Sequence, residues 1–173
     1  MGAHAGEGPG RSLRRLGAGG EHSMRLNGRV PADFSLRPAL PSDAGWIAEL
    51  RAVVMRPDLE RLGRWDPVRV RARFLNAFQP DHTFVIAVEG QAAGVIAVRP
   101  EPDALWIEHF YLAPEFQGQG LGAGVLRRIM GESKDHRPFR LNVLQGSPAR
   151  RLYERHGFVL ETEDPVDVFM VAG

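Results

Sequence analysis

Gln117-Gly118-Gln119-Gly120-Leu121-Gly122 lies between an apolar run, Leu105–Leu112, and an amphipathic one that continues to about Ser133. Three glycines within five positions leave backbone N–H groups uncovered by side chains, and the helix that follows adds the positive end of its dipole. A loop of this kind is suited to hold a phosphate or pyrophosphate. The helix it opens, Gly120 to about Ser133, aligns Leu121, Val125, Leu126, Ile129 and Met130 on one face.

The segments around this loop alternate between strand and helix patterns. Upstream, Thr83–Val88 and Ala92–Val98 are β-rich runs joined by Glu89-Gly90-Gln91, a hairpin signal. Further upstream, a short strand spans Phe34–Ala39, and Pro41-Ser42-Asp43 opens a helix with Trp46, Ile47, Leu50, Val53 and Val54 on one face. A loop of mixed charge follows. Asp66-Pro67 then reads as an N-cap with proline at the first helical position, opening a helix with Val70, Phe74, Leu75 and Phe78 in a stripe. Downstream, Phe139–Leu144 is a strand, and Ser147-Pro148 caps a short helix ending at Gly157. Phe158–Glu161 and Val166–Val171 are the last strands. The order β-α-α-β-β-β-α-β-α-β-β predicts a mixed α/β layer structure rather than a repeating βαβ series.

At 173 residues the chain fits one domain, expected over residues 33–173. Residues 1–32 are rich in Gly, Arg and small polar residues and have little to bury, so a disordered tail is expected there. Arg11, Arg14, Arg15, Arg25 and Arg29 in that tail read as solvated charges or as a weak anion-binding arm, and Met24 offers an alternative start. A net charge of +1 argues against a nucleic-acid partner. The chain has no cysteine, which removes disulfides and thiolate chemistry and suits a cytoplasmic setting. No apolar run reaches the ~18 residues of a bilayer span, so no membrane association is expected.

The glycine loop fits three phosphate ligands unequally. A P-loop requires Gly-Lys-Ser/Thr, and here Gly122 is followed by Ala123-Gly124. Gly118-x-Gly120-x-x-Ala123 matches a dinucleotide fingerprint. However, Ala113–Gln117 lengthen the strand-to-helix turn, and the ribose-binding acid expected about 20 residues on is replaced by Arg140. An NADP preference would tolerate that arginine. The third subset, Gln117-x-x-Gly120-x-Gly122, closely resembles the Gln/Arg-x-x-Gly-x-Gly/Ala motif of the GNAT superfamily of N-acetyltransferases. Ser147-Pro148-Ala149-Arg150-Arg151-Leu152-Tyr153-Glu154-Arg155-His156-Gly157-Phe158 resembles that family's Asn-x-Ala-x-x-Leu-Tyr-Glu-x-x-Gly-Phe segment. The element order from Phe34 to Val171 agrees as well.

The resemblance implies a GNAT-like fold: a central mixed, mostly antiparallel sheet with helices on both faces and a splayed central strand pair. It implies acetyl-CoA as co-substrate, held by backbone groups of Phe110, Tyr111 and Leu112 and by the N–H groups of Gln117, Gly118, Gln119, Gly120, Leu121, Gly122 and Ala123. Ser147 stands where many members have asparagine, with a cofactor contact or an N-cap as its role. Acetyl transfer would go directly to a primary amine, with Tyr153 as general acid. Ile107-Glu108-His109-Phe110-Tyr111-Leu112-Ala113-Pro114 resembles a form seen in some small-amine acetyltransferases and makes Glu108 the candidate base.

Several of these residues have plainer readings. Tyr153 shares a helical face with Ala149, Leu152 and His156 and could simply pack. An acid in an apolar strand is expected to be desolvated, raising its pKa, whereas an arginine partner would make Glu108 structural. His109 reads as a packed histidine or an alternative base, and His156 as a helix C-terminal residue. Arg56, Arg61, Arg64, Arg69, Arg71 and Arg73, set against Asp58, Glu60 and Asp66, read as a salt-bridged face or as a site for an acidic amine. Trp65 reads as a substrate-stacking or loop-anchoring residue. No metal-ligand spacing occurs, so no metal is expected. Homodimers are common in that family. A non-catalytic acyl-CoA sensor on the same fold is the other functional reading.

Overall fold

A computed structural model describes residues 33–173; the arginines of the predicted tail and Met24 lie outside the described residues. The hairpin signal at Glu89-Gly90 forms as read: φ is +51° and +76° at the two residues, the left-handed pair that a tight hairpin turn requires. It joins β2 (Thr83–Val88) to β3 (Gln91–Glu101), and β4 (Ala104–Leu112) continues the meander. β1 (Ser35–Pro38) adds to the β2 edge. Beyond β4 come β5 (Phe139–Leu144), β7 (Asp167–Ala172) and β6 (Val159–Glu163), giving one seven-stranded sheet in the order β1-β2-β3-β4-β5-β7-β6.

Every pairing in the sheet is antiparallel except β4–β5, whose strands are linked through α3 (Leu121–Glu132). That parallel pair holds together only at Leu105–Phe139 and Trp106–Arg140. Past Trp106 the strands separate, and the edge of β4 that faces β5 has no strand partner. This is the splayed central pair implied by the family resemblance.

The sheet is covered on both faces. Ile47 and Ala48 of α1 (Ala44–Arg61) and Phe74 of α2 (Pro67–Ala77) pack with Val95 on one side. On the other, Leu121, Val125 and Leu126 of α3 and Tyr153 of α4 (Ala149–Glu154) pack with Ile96, Leu141, Val168 and Met170. Val95 and Ile96 point to opposite faces, as successive strand residues must. No described helix is long and apolar enough to cross a membrane.

Two readings of α1 need correction. Its buried stripe is Ile47, Ala48, Arg51 and Ala52, while Val53 is exposed. The helix also runs through Pro57 to Arg61, where a charged loop was expected. The Arg56–Glu60 and Asp58–Arg61 pairs bridge its last turns at i,i+4 and i,i+3 spacing and compensate in part for the missing proline N–H. Asp66 does cap α2, accepting from the N–H groups of Val68 and Arg69 at 2.9 Å each.

Gly94 is a structural requirement that the sequence did not reveal. It sits opposite Leu112 in the β3–β4 ladder, and a Cβ there would come within 2.3 Å of the Tyr111 carbonyl oxygen. Backbone in a paired strand yields little, so Gly94→Ala is expected to cost about 1–3 kcal/mol. A urea unfolding curve reads this directly, and an unchanged midpoint would contradict it.

Candidate active site

β4 carries a bulge where the sheet opens. Ala97 pairs with Glu108 and Val95 with Tyr111, so three steps on β4 oppose two on β3. His109 absorbs the extra residue with φ of +48°, a conformation uncommon outside glycine, though histidine adopts it more readily than most. The bulge redirects the side chains that follow and brings Glu108, His109, Phe110 and Tyr111 to a cleft of about 1110 Å³. Ile107 and the four residues after it form one wall, Asn142–Leu144 of β5 another, and α1, α2 and the 164–167 turn close it. Ser147 and Tyr153 also line it.

Tyr153 is buried at the foot of the cleft, its ring edge-on to Phe158 at 5.8 Å between centroids. The end of α4 fixes this contact. Gly157, at φ +86°, lets its N–H reach Glu154 O (3.2 Å) while the Phe158 N–H reaches Tyr153 O (3.1 Å), a Schellman pair. The Tyr153 hydroxyl donates to and accepts from no described residue, yet it is not sealed from the cleft. Burial, with Tyr111 adding to it, pushes the phenol well above its ordinary pKa, so it stays protonated at neutral pH.

Glu108 faces the cleft but is not the lone, desolvated acid that an apolar strand suggested. Arg99 on β3 donates to both of its oxygens, Nε at 3.2 Å and Nη2 at 2.9 Å, and also pairs with Glu101. The arginine-paired alternative is the one the structure contains.

His109 packs edge-on against Phe74 at 5.1 Å. Arg51 Nη1 donates to its Nδ1 at 3.4 Å and to Tyr111 Oη at 3.3 Å. Burial first, and the Arg51 charge second, lower its pKa from 6.5 to about 4. An unfolded chain therefore holds the extra proton between those values, and stability must fall as pH drops from about 6.5 to 4. The loss is about 3 kcal/mol at 1.36 kcal/mol per pH unit. Asp43, whose carboxyl Arg37 holds well below its ordinary value, adds its own loss only below about pH 4. Denaturant midpoints between pH 7 and 4 should show the His109 slope, and His109→Asn should flatten it. An equal slope in both proteins would contradict the assignment.

The glycine loop follows β4 through a 3-10 turn, Pro114–Phe116. Gln117 Nε2 donates to Leu112 O at 2.9 Å and its backbone N–H to Pro114 O at 3.2 Å, so Gln117 latches the loop to the strand. Its own N–H is therefore engaged, and the free run starts one residue later. From Gly118 to Ala123, no backbone N–H has a described acceptor. Gly118 and Gly120 stand at φ +69° and +80°, the turn that aims this run outward at the start of α3. A Cβ on Gly122 would meet Leu152, Leu112 and Phe110 at 3.3, 3.6 and 3.9 Å, so this glycine also lets α3 approach β4 and α4. Ser147 Oγ accepts weakly from the Ala149 N–H at 3.3 Å. Arg140 is bound to Asp103 and Glu161, which leaves it unavailable as the phosphate-reading arginine of an NADP site.

The model of the acetyltransferase (GNAT) domain matches residues 79–160, from the start of β2 into β6, and so spans the glycine loop, the bulge and Tyr153. The segment that carries the site is thus similar to a GNAT acetyltransferase domain. Similar solved structures include an N-acetyltransferase from Staphylococcus aureus Mu50, 18% identical, with a TM-score of 0.62 over 80% of this chain and 100% of that one. The PaiA N-acetyltransferase from Thermoplasma acidophilum, in complex with coenzyme A, is 17% identical, with a TM-score of 0.65 over 81% and 98%. N-acetylglutamate synthase from Neisseria gonorrhoeae, complexed with coenzyme A and N-acetyl-glutamate, is 18% identical, with a TM-score of 0.59 over 83% of this chain and 35% of that one. No curated protein sequence matches the chain. The seven-stranded, splayed sheet is the fold of these acetyltransferases, and the domain match over 79–160 supports an acyltransferase.

Proposed function

We propose that the protein transfers the acetyl group of acetyl-CoA directly to a primary amine. The observation that carries this is the juxtaposition of the unpartnered N–H run Gly118–Ala123 with the unpaired edge of β4 beyond Trp106. The loop supplies donors for the pyrophosphate. Phe110, Tyr111 and Leu112, on the freed strand, supply backbone groups for the pantetheine and the thioester carbonyl, where donors stabilise the developing oxyanion. Ser147, at the cleft wall, borders the same route.

The amine nitrogen forms a bond to the acetyl carbon, the carbon–sulfur bond breaks, and the sulfur leaves as a thiolate. Tyr153 gives that thiolate a proton: its hydroxyl is protonated, partner-free and at the foot of the cleft. The incoming ammonium loses its proton to solvent in the cleft; Glu108, gripped at both oxygens by Arg99, holds the wall in place rather than serving as the base.

Calorimetric titration tests the donor. Acetyl-CoA should bind, inorganic pyrophosphate should compete, and NADH and NADPH should not bind. Binding of either nicotinamide nucleotide in place of acetyl-CoA would overturn the reading.

A further inference from the structure

Arg51 is a buried cation for which the transfer chemistry has no use. It reaches from α1 into the cleft and is 9% exposed. A buried guanidinium is costly unless charge and hydrogen bonds compensate it. Arg51 forms no salt bridge with any described carboxylate. Its Nη1 leans on two neutral groups, Tyr111 Oη and His109 Nδ1. Its Nε is shut off from water with no partner, and its Nη2 has no described acceptor.

The donor left open is therefore Nη2, which has no described partner and is not sealed, with the buried Nε beside it. Elsewhere in this protein arginine Nη2 donors hold carboxylates: Arg71 Nη2 reaches Glu49 at 3.0 Å, and Arg99 Nη2 reaches Glu108 at 2.9 Å. Guanidinium and carboxylate match in charge and in donor and acceptor character. The five acids of the cleft lining already hold hydrogen bonds: Asp58 from Arg61, Glu108 from Arg99, Asp66 from the N–H groups of Val68 and Arg69, Asp164 from those of Val166 and Asp167, and Asp167 from Asn142. Arg51 is the buried charge of the lining that has no partner of opposite sign among the described residues.

We propose that the acceptor amine carries a carboxylate, which Arg51 receives at its unpartnered Nη2, so that the substrates are amino acids or related amino carboxylates. This rests on the acetyl-transfer reading and narrows its acceptor.

The test compares phenylalanine, glutamate and 4-aminobutyrate with their carboxamides, with spermidine and O-phosphoethanolamine as further probes. Acetylation rates and calorimetric binding to the CoA-saturated protein are both read. The best carboxylate should exceed its own amide by about a hundredfold in kcat/KM or in affinity, the range seen when a buried charge pair loses one partner. Arg51→Gln should cut that preference to tenfold or less, mainly through KM, and Arg51→Lys should fall between. If Arg51→Gln does not fold, the wild-type comparison and Arg51→Lys decide. Equal use of amide and carboxylate, a best acceptor that is spermidine or O-phosphoethanolamine, an undiminished preference in Arg51→Gln, or no binding of any carboxylate would overturn the proposal. Turnover of neutral amines alone sinks the Arg51 assignment and keeps acetyl transfer. Selective carboxylate binding without turnover does the reverse.

Discussion

Tyr153→Phe is expected to lower kcat for acetyl transfer at least tenfold, and about a hundredfold where chemistry limits the rate. The substitution removes one oxygen and little else. Phenylalanine keeps the volume and the edge-on contact with Phe158, and the lost hydroxyl has no described protein partner. Stability and acetyl-CoA affinity should therefore change little, which separates loss of the acid from loss of the fold. A tenfold loss corresponds to about 1.4 kcal/mol of transition-state stabilisation, a modest demand on one proton donor. Unchanged turnover under chemistry-limited conditions would remove Tyr153 from the mechanism and leave it as a packing residue.

The second large effect is expected at Gly120. Its φ of +80° is one that a β-branched residue adopts only as a strained outlier. Gly120→Val should either strain this turn or relax it, and both outcomes turn the Gly118–Ala123 N–H groups away from a common ligand. Acetyl-CoA affinity should fall about a hundredfold, equivalent to about 2.7 kcal/mol. Because Gly120 is exposed and caps α3 from outside the core, unfolding midpoints should move far less than affinity. An unchanged Kd for acetyl-CoA would show that the loop does not hold the donor.

Much of the frame was legible because local signals and tertiary packing agree. β2 and β5 begin and end where the β-branched and apolar runs do, and Asp66-Pro67 marks the start of α2 through a hydrogen bond that only such a cap makes. The α1 boundary was not legible, since Pro57 ordinarily signals a stop and the ion pairs that bridge the last turns depend on the helix already being there. The bulge at His109 was also hidden. It inserts a residue without glycine, and it alters which side chains of β4 face the cleft. Glu108 looked isolated because its partner, Arg99, lies on a neighbouring strand. The strand splay is an absence of pairing after Trp106, which no residue type encodes; the family resemblance supplied it.

In the charged stretch from Arg56 to Arg73, three arginines form the salt-bridged face that was one of its readings. Arg56, Arg61 and Arg71 are paired with Glu60, Asp58 and Glu49, and Arg56 also covers Trp65 at 5.1 Å, which anchors that ring to α1. Arg69 and Arg73 line the cleft with no described salt bridge. The missed residue was Arg51, five positions before that stretch. Its signal was available: an arginine at i+4 from Ile47 and i+3 from Ala48, on the face that the helix buries.

Acetyl transfer itself is tested most directly by mixing the protein with acetyl-CoA and a panel of primary amines. Free thiol and N-acetylated product are then quantified together. The expected result is protein-dependent thiol release matched one for one by N-acetyl amine, with no acetylated protein formed along the way. Saturable acetyl-CoA binding with no thiol release across the panel would contradict the account and make the protein an acyl-CoA sensor.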